Sequence, residues 1–223
     1  MTALINSLAK YNQLMIAGVQ ETLYMVLMSV LFAVIFGIPM GVVTTITRKG
    51  HVLENRVIFK MFNTIINIGR SIPFVILMVA VIPLTRMIVG TSIGTTAAIV
   101  PLSMAAIPFM GRVVDNALLE INPGVIEAAQ SMGATPLEII FKVLLPESLS
   151  AIILGITLTT ISLVSYSAMA GAIGGGGLGD IAIRYGYQRF RLGVMIETII
   201  ILVVMVQLIQ WLGNKLAAVF DHK

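Results

Sequence analysis

Residues Asn122 to Pro146 read NPGVIEAAQSMGATPLEIIFKVLLP. This is the longest stretch without a membrane-grade apolar run, and such a run lies on each side of it. Asn122 is a helix N-cap, and Pro123 takes the first helical position, where a missing N–H costs nothing. Thr135-Pro136-Leu137-Glu138 starts a second helix as a capping box, in which Thr135 and Glu138 cover each other's orphan amides. Between the two starts, Ala128, Ala129 and Gly133 give a short helix a face with almost no side-chain bulk. A smooth, capped helix between two apolar runs is expected to be gripped by something outside the chain.

The rest of the chain says what those runs are. Of 223 residues, 58% are hydrophobic and only 11% charged, with a mean hydropathy of +1.01. Water-facing positions of a soluble domain would demand more charge, so the composition is that of an integral membrane protein. The net charge of +4 is spread over several loops and gives no nucleic-acid-binding patch. With no cysteine, disulfides and thiolate chemistry are excluded, and the two histidines, His51 and His222, sit in charged surroundings that do not suggest a metal site. The N-terminus has neither a short basic segment nor a small-residue cleavage site, so the first apolar run is expected to be an uncleaved anchor. Residues Thr2 to Leu14 alternate at roughly helical spacing and could lie flat at the interface.

About 20 apolar residues cross a bilayer core. Spans are expected over residues 18–46, 57–83, 95–114, 148–170 and 192–212, with residues 122–146 as the connection between the third and fourth. The fold class is therefore all-α, with five transmembrane helices in one domain covering residues 1–223. Pro101 and Pro108 fall inside the third span, where neighbouring helices can satisfy the freed carbonyls. Arg48, Lys49, Arg56, Lys60, Arg112, Lys142, Lys215 and Lys223 would then lie on one side, and Lys10, Arg86, Arg184, Arg189 and Arg191 on the other. The larger basic set marks the cytoplasmic side, which gives N-terminus out, C-terminus in and a cytoplasmic 122–146 stretch.

Read in full, that stretch is Glu127-Ala128-Ala129, three residues, Gly133, nine residues, then Val143-Leu144-Leu145-Pro146. It resembles the EAA signature of the membrane subunits of bacterial ABC importers, with Val143 in place of the usual isoleucine. The resemblance implies the type I importer permease fold, working as a homodimer in the bacterial inner membrane. It also implies that the helix at Glu127–Gly133 is a coupling helix docking in a groove of a separate ATPase subunit, two of which serve the homodimer and bind the ATP and magnesium; no cofactor is expected in this chain. The segment from Ala170 to Phe190, AGAIGGGGLGDIAIRYGYQRF, is similar to the matching loop of the methionine-uptake family of these importers. That implies methionine, in one or both enantiomers, as cargo, delivered by a periplasmic or lipid-anchored binding protein.

Other readings of the same residues are weaker. Gly174-x-Gly176-x-x-Gly179 matches a dinucleotide fingerprint without the βαβ unit that gives it meaning. Gly177-Leu178-Gly179-Asp180 matches the motif of intramembrane aspartyl proteases, but no second membrane aspartate accompanies it. There is no Walker A lysine motif. The six glycines between residues 171 and 179 are read mechanically, with Gly174, Gly175, Gly176 and Gly177 as a hinge or close dimer contact near the outer mouth. Arg70, near the middle of the second span, is expected to face inward and pair with Glu21 or Glu197, since a charge there costs about 2.5–3.5 kcal/mol. Pro73, Asn63, Asn67 and Met169 are candidate pathway residues, although methionines such as Met78, Met104 and Met169 also serve as adaptable filler. The rival classes are a secondary transporter, which would show repeats and more membrane carboxylates, and a membrane-embedded enzyme, for which no acid–base or nucleophile constellation exists. Within the permease class, the alternative cargo is another amino acid or a small osmolyte.

Overall fold

The computed structural model describes residues 2–220, with side chains from residue 12 onward. Asp221, His222, Lys223 and the side chain of Lys10 lie outside the described residues. The chain opens with α1 (Thr2–Phe32), a wide π turn (Ala33–Gly37) and α2 (Ile38–Ile46). The stretch expected to lie at the interface is thus the first part of the same continuous helix as the first span. After a short loop come α3 (Arg56–Ser71), α4 (Phe74–Ala80) and α5 (Ile82–Val89). Then follow α6 (Thr95–Leu119), α7 (Pro123–Ser131), α8 (Pro136–Glu138), a π turn (Ile139–Leu144) and α9 (Leu145–Glu147). The chain closes with α10 (Leu149–Ala172), α11 (Gly177–Ile181), a third π turn (Ala182–Tyr187) and α12 (Leu192–Val219). No strand occurs among the described residues.

Asn12–Ile46, Thr95–Leu119, Leu149–Ala172 and Leu192–Val219 are each long and apolar enough to cross a membrane, and the bent pair Arg56–Ser71 with Phe74–Ala80 makes a fifth candidate. That bent pair corrects the expectation of one continuous second span. Ile72 sits in the extended region (φ −84°, ψ 121°) because the ring of Pro73 disfavours helical geometry for the residue before it. In α6, Pro101 and Pro108 leave the helix unbroken. There the surrounding side chains, Leu102, Ala106 and Met110, are buried and hold the backbone. Residues 70–73 are all exposed and have no such support.

Two further prolines explain the first two π turns. Pro39 and Pro146 each stand two positions after the end of one, at residues 33–37 and 139–144. A proline ring clashes with the carbonyl four residues before it. Widening the preceding turn moves that carbonyl aside without ending the helix.

The contacts group the chain into two compact units. One comprises Met1–Leu31, Pro73–Met104 and Thr160–Ile209, and Met25, Leu102, Leu163 and Leu178 fill its interior. The other comprises Phe32–Ile72, Ala105–Thr159 and Gln210–Lys223, with Ile66, Met110, Val114, Leu118 and Leu144 buried in it. In this second unit the backbones come very close: a Cβ on Gly41 would lie 2.6 Å from the Gly111 carbonyl oxygen. The outward pattern is the reverse of a soluble protein's. Along α12, Ile196, Ile199, Ile200, Val203, Val204 and Leu208 are each more than half exposed, as lipid or a partner helix would require.

Candidate coupling site

The connection between α6 and α10 folds as its capping residues dictate. Asn122 Oδ1 accepts the Gly124 N–H at 2.9 Å, and Pro123 takes the first turn of α7. At the other end, the Gly133 N–H donates to the Gln130 carbonyl at 2.9 Å and the Ala134 N–H to that of Ala129 at 3.1 Å. This is a Schellman closure, and it needs a left-handed residue at Gly133, where φ is +81°. A Cβ on Gly133 would meet nothing within 4 Å. Conformation, rather than smoothness of a face, is therefore why glycine stands there. Replacing Asn122 with alanine is expected to weaken α7 by about 1 kcal/mol, measured as faster amide exchange across Gly124 and Val125 with the spans unaffected.

The small residues also divide differently from the expectation. Ala129 is turned inward and only 4% exposed, whereas Glu127, Ala128 and Gly133 face outward. Beside them Met132 is 81% exposed, the most exposed large hydrophobic side chain of the connection. Asn122, Gly124, Val125, Ala128, Ala129, Met132 and Val143 line a shallow, mostly apolar depression of about 410 Å³. Its floor is small side chains and its rim one flexible methionine, which suits a protruding side chain of another protein.

The second helix start is also as expected. The Thr135 N–H donates to Glu138 Oε2 at 3.0 Å, and the Glu138 N–H donates to Thr135 Oγ1 at 3.4 Å. Lys142 Nζ lies 2.9 Å from Glu138 Oε1. The Lys142 hydrogen bond first, then those of Thr135, lower the Glu138 pKa to about 2. Because the folded value lies below the ordinary 4.5, the stabilisation is complete above pH 4.5 and fades as pH falls through 2. A ¹³C titration of the Glu138 carboxyl should show a midpoint near 2; a midpoint near 4.5 would mean the box is open. Pro146 closes this element after the 139–144 turn, which packs on α7.

Seven residues before Asn122, Asp115 gathers a cluster from residues far apart in sequence. Asp115, with no exposed surface, accepts hydrogen bonds from Thr45 Oγ1 at 2.8 Å, Arg48 Nη2 at 3.0 and 3.1 Å and Arg112 Nη1 at 2.8 Å. Arg112 Nη2 donates to Asn63 Oδ1 at 2.8 Å and Asn67 Oδ1 at 2.6 Å. The Arg48 guanidinium lies 4.9 Å from the Phe59 ring centroid. Asn63 and Asn67, expected along a pathway, are thus ligands of a guanidinium. Burial, and then Arg48, push the neighbouring His51 below its ordinary pKa against the pull of Asp115. The clues were Arg112 and Asp115 three apart and Asn63 and Asn67 four apart, both helix-face spacings.

The remaining expected residues fall as follows. Arg70 is exposed at the end of α3 and has no carboxylate partner among the described residues, which corrects the expected inward pairing. Glu197 is exposed. Glu21 instead accepts the Gly177 N–H at 2.6 Å, next to a Leu178 N–H bond to Thr22 Oγ1 at 2.9 Å. Gly174, Gly176 and Gly177 have φ of +92°, +82° and +75°, and a Cβ on Gly175 would sit 2.8 Å from the Ala170 carbonyl oxygen. The glycines therefore form a tight turn between α10 and α11, in which the Gly174, Gly175 and Gly177 N–H groups are hydrogen-bonded. Pro73 marks the break already described. Met169 is half exposed in an apolar groove of about 620 Å³ with Ala168, Leu202 and Gln207, while Met25 and Met110 are wholly buried filler. Among the described residues no group of three or more potential ligands could hold a metal ion.

Among the described residues the structure thus has four membrane-length helices, with a bent pair as a fifth candidate, and an exposed capped helix in the connection between α6 and α10. Residues 33–222 match the family described as binding-protein-dependent transport system inner membrane component, and the chain belongs to that family. It is 52% identical over 212 residues to a protein of Vibrio cholerae named as a probable D-methionine transport system permease, covering 95% of this chain and 94% of that one. A relative from Pasteurella multocida with the same description is 55% identical over 203 residues, covering 91% and 94%. Among solved structures, the inward-facing MetNI methionine ABC transporter superposes with a TM-score of 0.92 at 48% identity, covering 94% of this chain and 97% of that one. The fold is therefore that of a type I ABC importer permease. An amino acid ABC transporter structure, at 22% identity and a TM-score of 0.73 over 96% of each chain, shares the fold.

Proposed function

We propose that this chain is the membrane permease subunit of an ATP-driven methionine importer, acting without chemistry of its own. The observation that carries the proposal is the exposed Ala128–Met132 depression on a helix capped at both ends, in a chain about half identical to methionine permeases. Two copies would form the pathway, and two ATPase subunits would bind ATP and magnesium. Closure of those subunits would move the paired coupling helices as rigid bodies, so that the permease alternates between outward- and inward-facing states. A periplasmic or lipid-anchored binding protein would deliver the amino acid. The larger basic set on the side of Arg48, Lys49, Arg56, Lys60, Arg112, Lys142 and Lys215, against Arg86, Arg184, Arg189 and Arg191 on the other, supports a cytoplasmic coupling helix, with the N-terminus outside. The tight Gly174–Gly177 turn, bonded to Glu21, would be a rigid end-piece of α10 and not a flexible hinge.

Reconstitution of the complex with its ATPase and binding protein tests this. Uptake of labelled methionine should require ATP and be competed by unlabelled methionine but not by other amino acids. Uptake without ATP, or competition by a polar amino acid alone, would contradict it.

A further inference from the structure

We infer that Asp115 is a positioning residue for energy coupling, the tether that makes α2, α3 and the coupling helix move as one piece. The inference rests on the permease reading above and adds a device that the signature around Glu127 does not contain.

The geometry leads there in three steps. First, one carboxylate joins elements remote in sequence: it takes Thr45 and Arg48 from the α2 end and Arg112 from its own helix. Arg112 in turn carries the link to Asn63 and Asn67 on α3. Arg48, over the ring of Phe59, makes a second link to α3. Second, the carboxylate is completely buried and fully used by its donors, so any separation of these helices would strand a charge. Sliding is resisted by the four directional bonds that Thr45, Arg48 and Arg112 make to the one carboxylate, charge-assisted where the donor is a guanidinium, in a way that apolar contacts alone do not match. Third, the tether lies on α6 directly before the connection to α7. Above it α6 contains Pro108, whose missing N–H makes the helix easier to bend there. Without the tether, a push on α7 would be absorbed by bending α6. With it, the push is delivered to α2 and α3, which pack on α6 at Gly41 and Gly69: a Cβ on Gly69 would lie 2.5 Å from Pro108 Cγ.

The test is the number of methionine molecules imported per ATP hydrolysed, measured on size-selected, reconstituted complexes. A residue that only holds the fold together lowers uptake and hydrolysis alike and leaves this ratio unchanged. For Asp115→Asn the ratio is expected to fall by about tenfold, with hydrolysis continuing. Arg48→Gln, which leaves Asp115 paired with Arg112 and Thr45, should fall less, by about threefold, and stands in if Asp115→Asn fails to assemble. An unchanged ratio in Asp115→Asn, or in Arg48→Gln if that is the one assembled, overturns the inference. A wild-type complex that imports no methionine would instead overturn the permease reading itself.

Discussion

Ala128→Arg should abolish ATP-driven uptake while the helices remain inserted and the chain remains folded. Ala128 is exposed on α7 and its side chain lines the depression that includes Gly124, Val125 and Met132. An arginine there fills that depression and brings a charge into what would be a buried contact, and an unpaired buried charge costs several kcal/mol. Because the residue touches no core element, the loss should appear as failure to bind or drive the ATPase, at unchanged thermal stability. The neighbouring Ala129→Arg offers the contrast. Ala129 is buried against the chain itself, so that change should lower stability as well as uptake. Full uptake by Ala128→Arg would place the docking surface elsewhere.

Asp115→Leu should lower the stability of the folded permease by about 3 kcal/mol or more, the usual result of removing one partner of a buried ion pair. Two guanidinium groups, Arg48 and Arg112, lose their shared carboxylate at once. Arg48 is about one-third exposed and can turn toward water, which keeps the loss toward the lower end. Changing Asp115, Arg48 and Arg112 together to leucine should recover most of the stability, because a well-packed apolar cluster needs no counter-charge. Thermal unfolding in detergent measures both variants. A single variant as stable as the parent chain would show that the cluster is not holding the helices.

The features that could be read from the sequence were those set within a few residues or by the bilayer. The Asn122 cap and the Thr135–Glu138 box depend on groups two or three positions apart, and both are present. The long spans follow from apolar length alone, which a hydrocarbon slab imposes directly. What failed was anything that required knowing how helices register. Ala128 and Ala129 are identical letters with opposite faces, and only packing against the 139–144 turn separates them. Pro73 breaks its span while Pro101 and Pro108 do not, a difference that lies in the side chains around each ring. Asp115 meets Thr45 and Arg48 from 70 and 67 positions away. Its own neighbours suggested only a helix end. Arg70 was assigned a partner because charge inside a span is costly, yet the break at Ile72–Pro73 leaves it at an exposed helix end.

We propose that the α7 helices of two copies move when the partner ATPases bind ATP. Met132→Cys introduces the chain's first thiol at its most prominent coupling position, where a spin label disturbs no core contact. The distance between the two labels in the assembled complex, measured by pulsed electron resonance, should shorten on binding ATP with magnesium and lengthen again after hydrolysis. A label-to-label distance that is the same in the nucleotide-free, ATP-bound and post-hydrolysis states would show that α7 does not move with the ATPase.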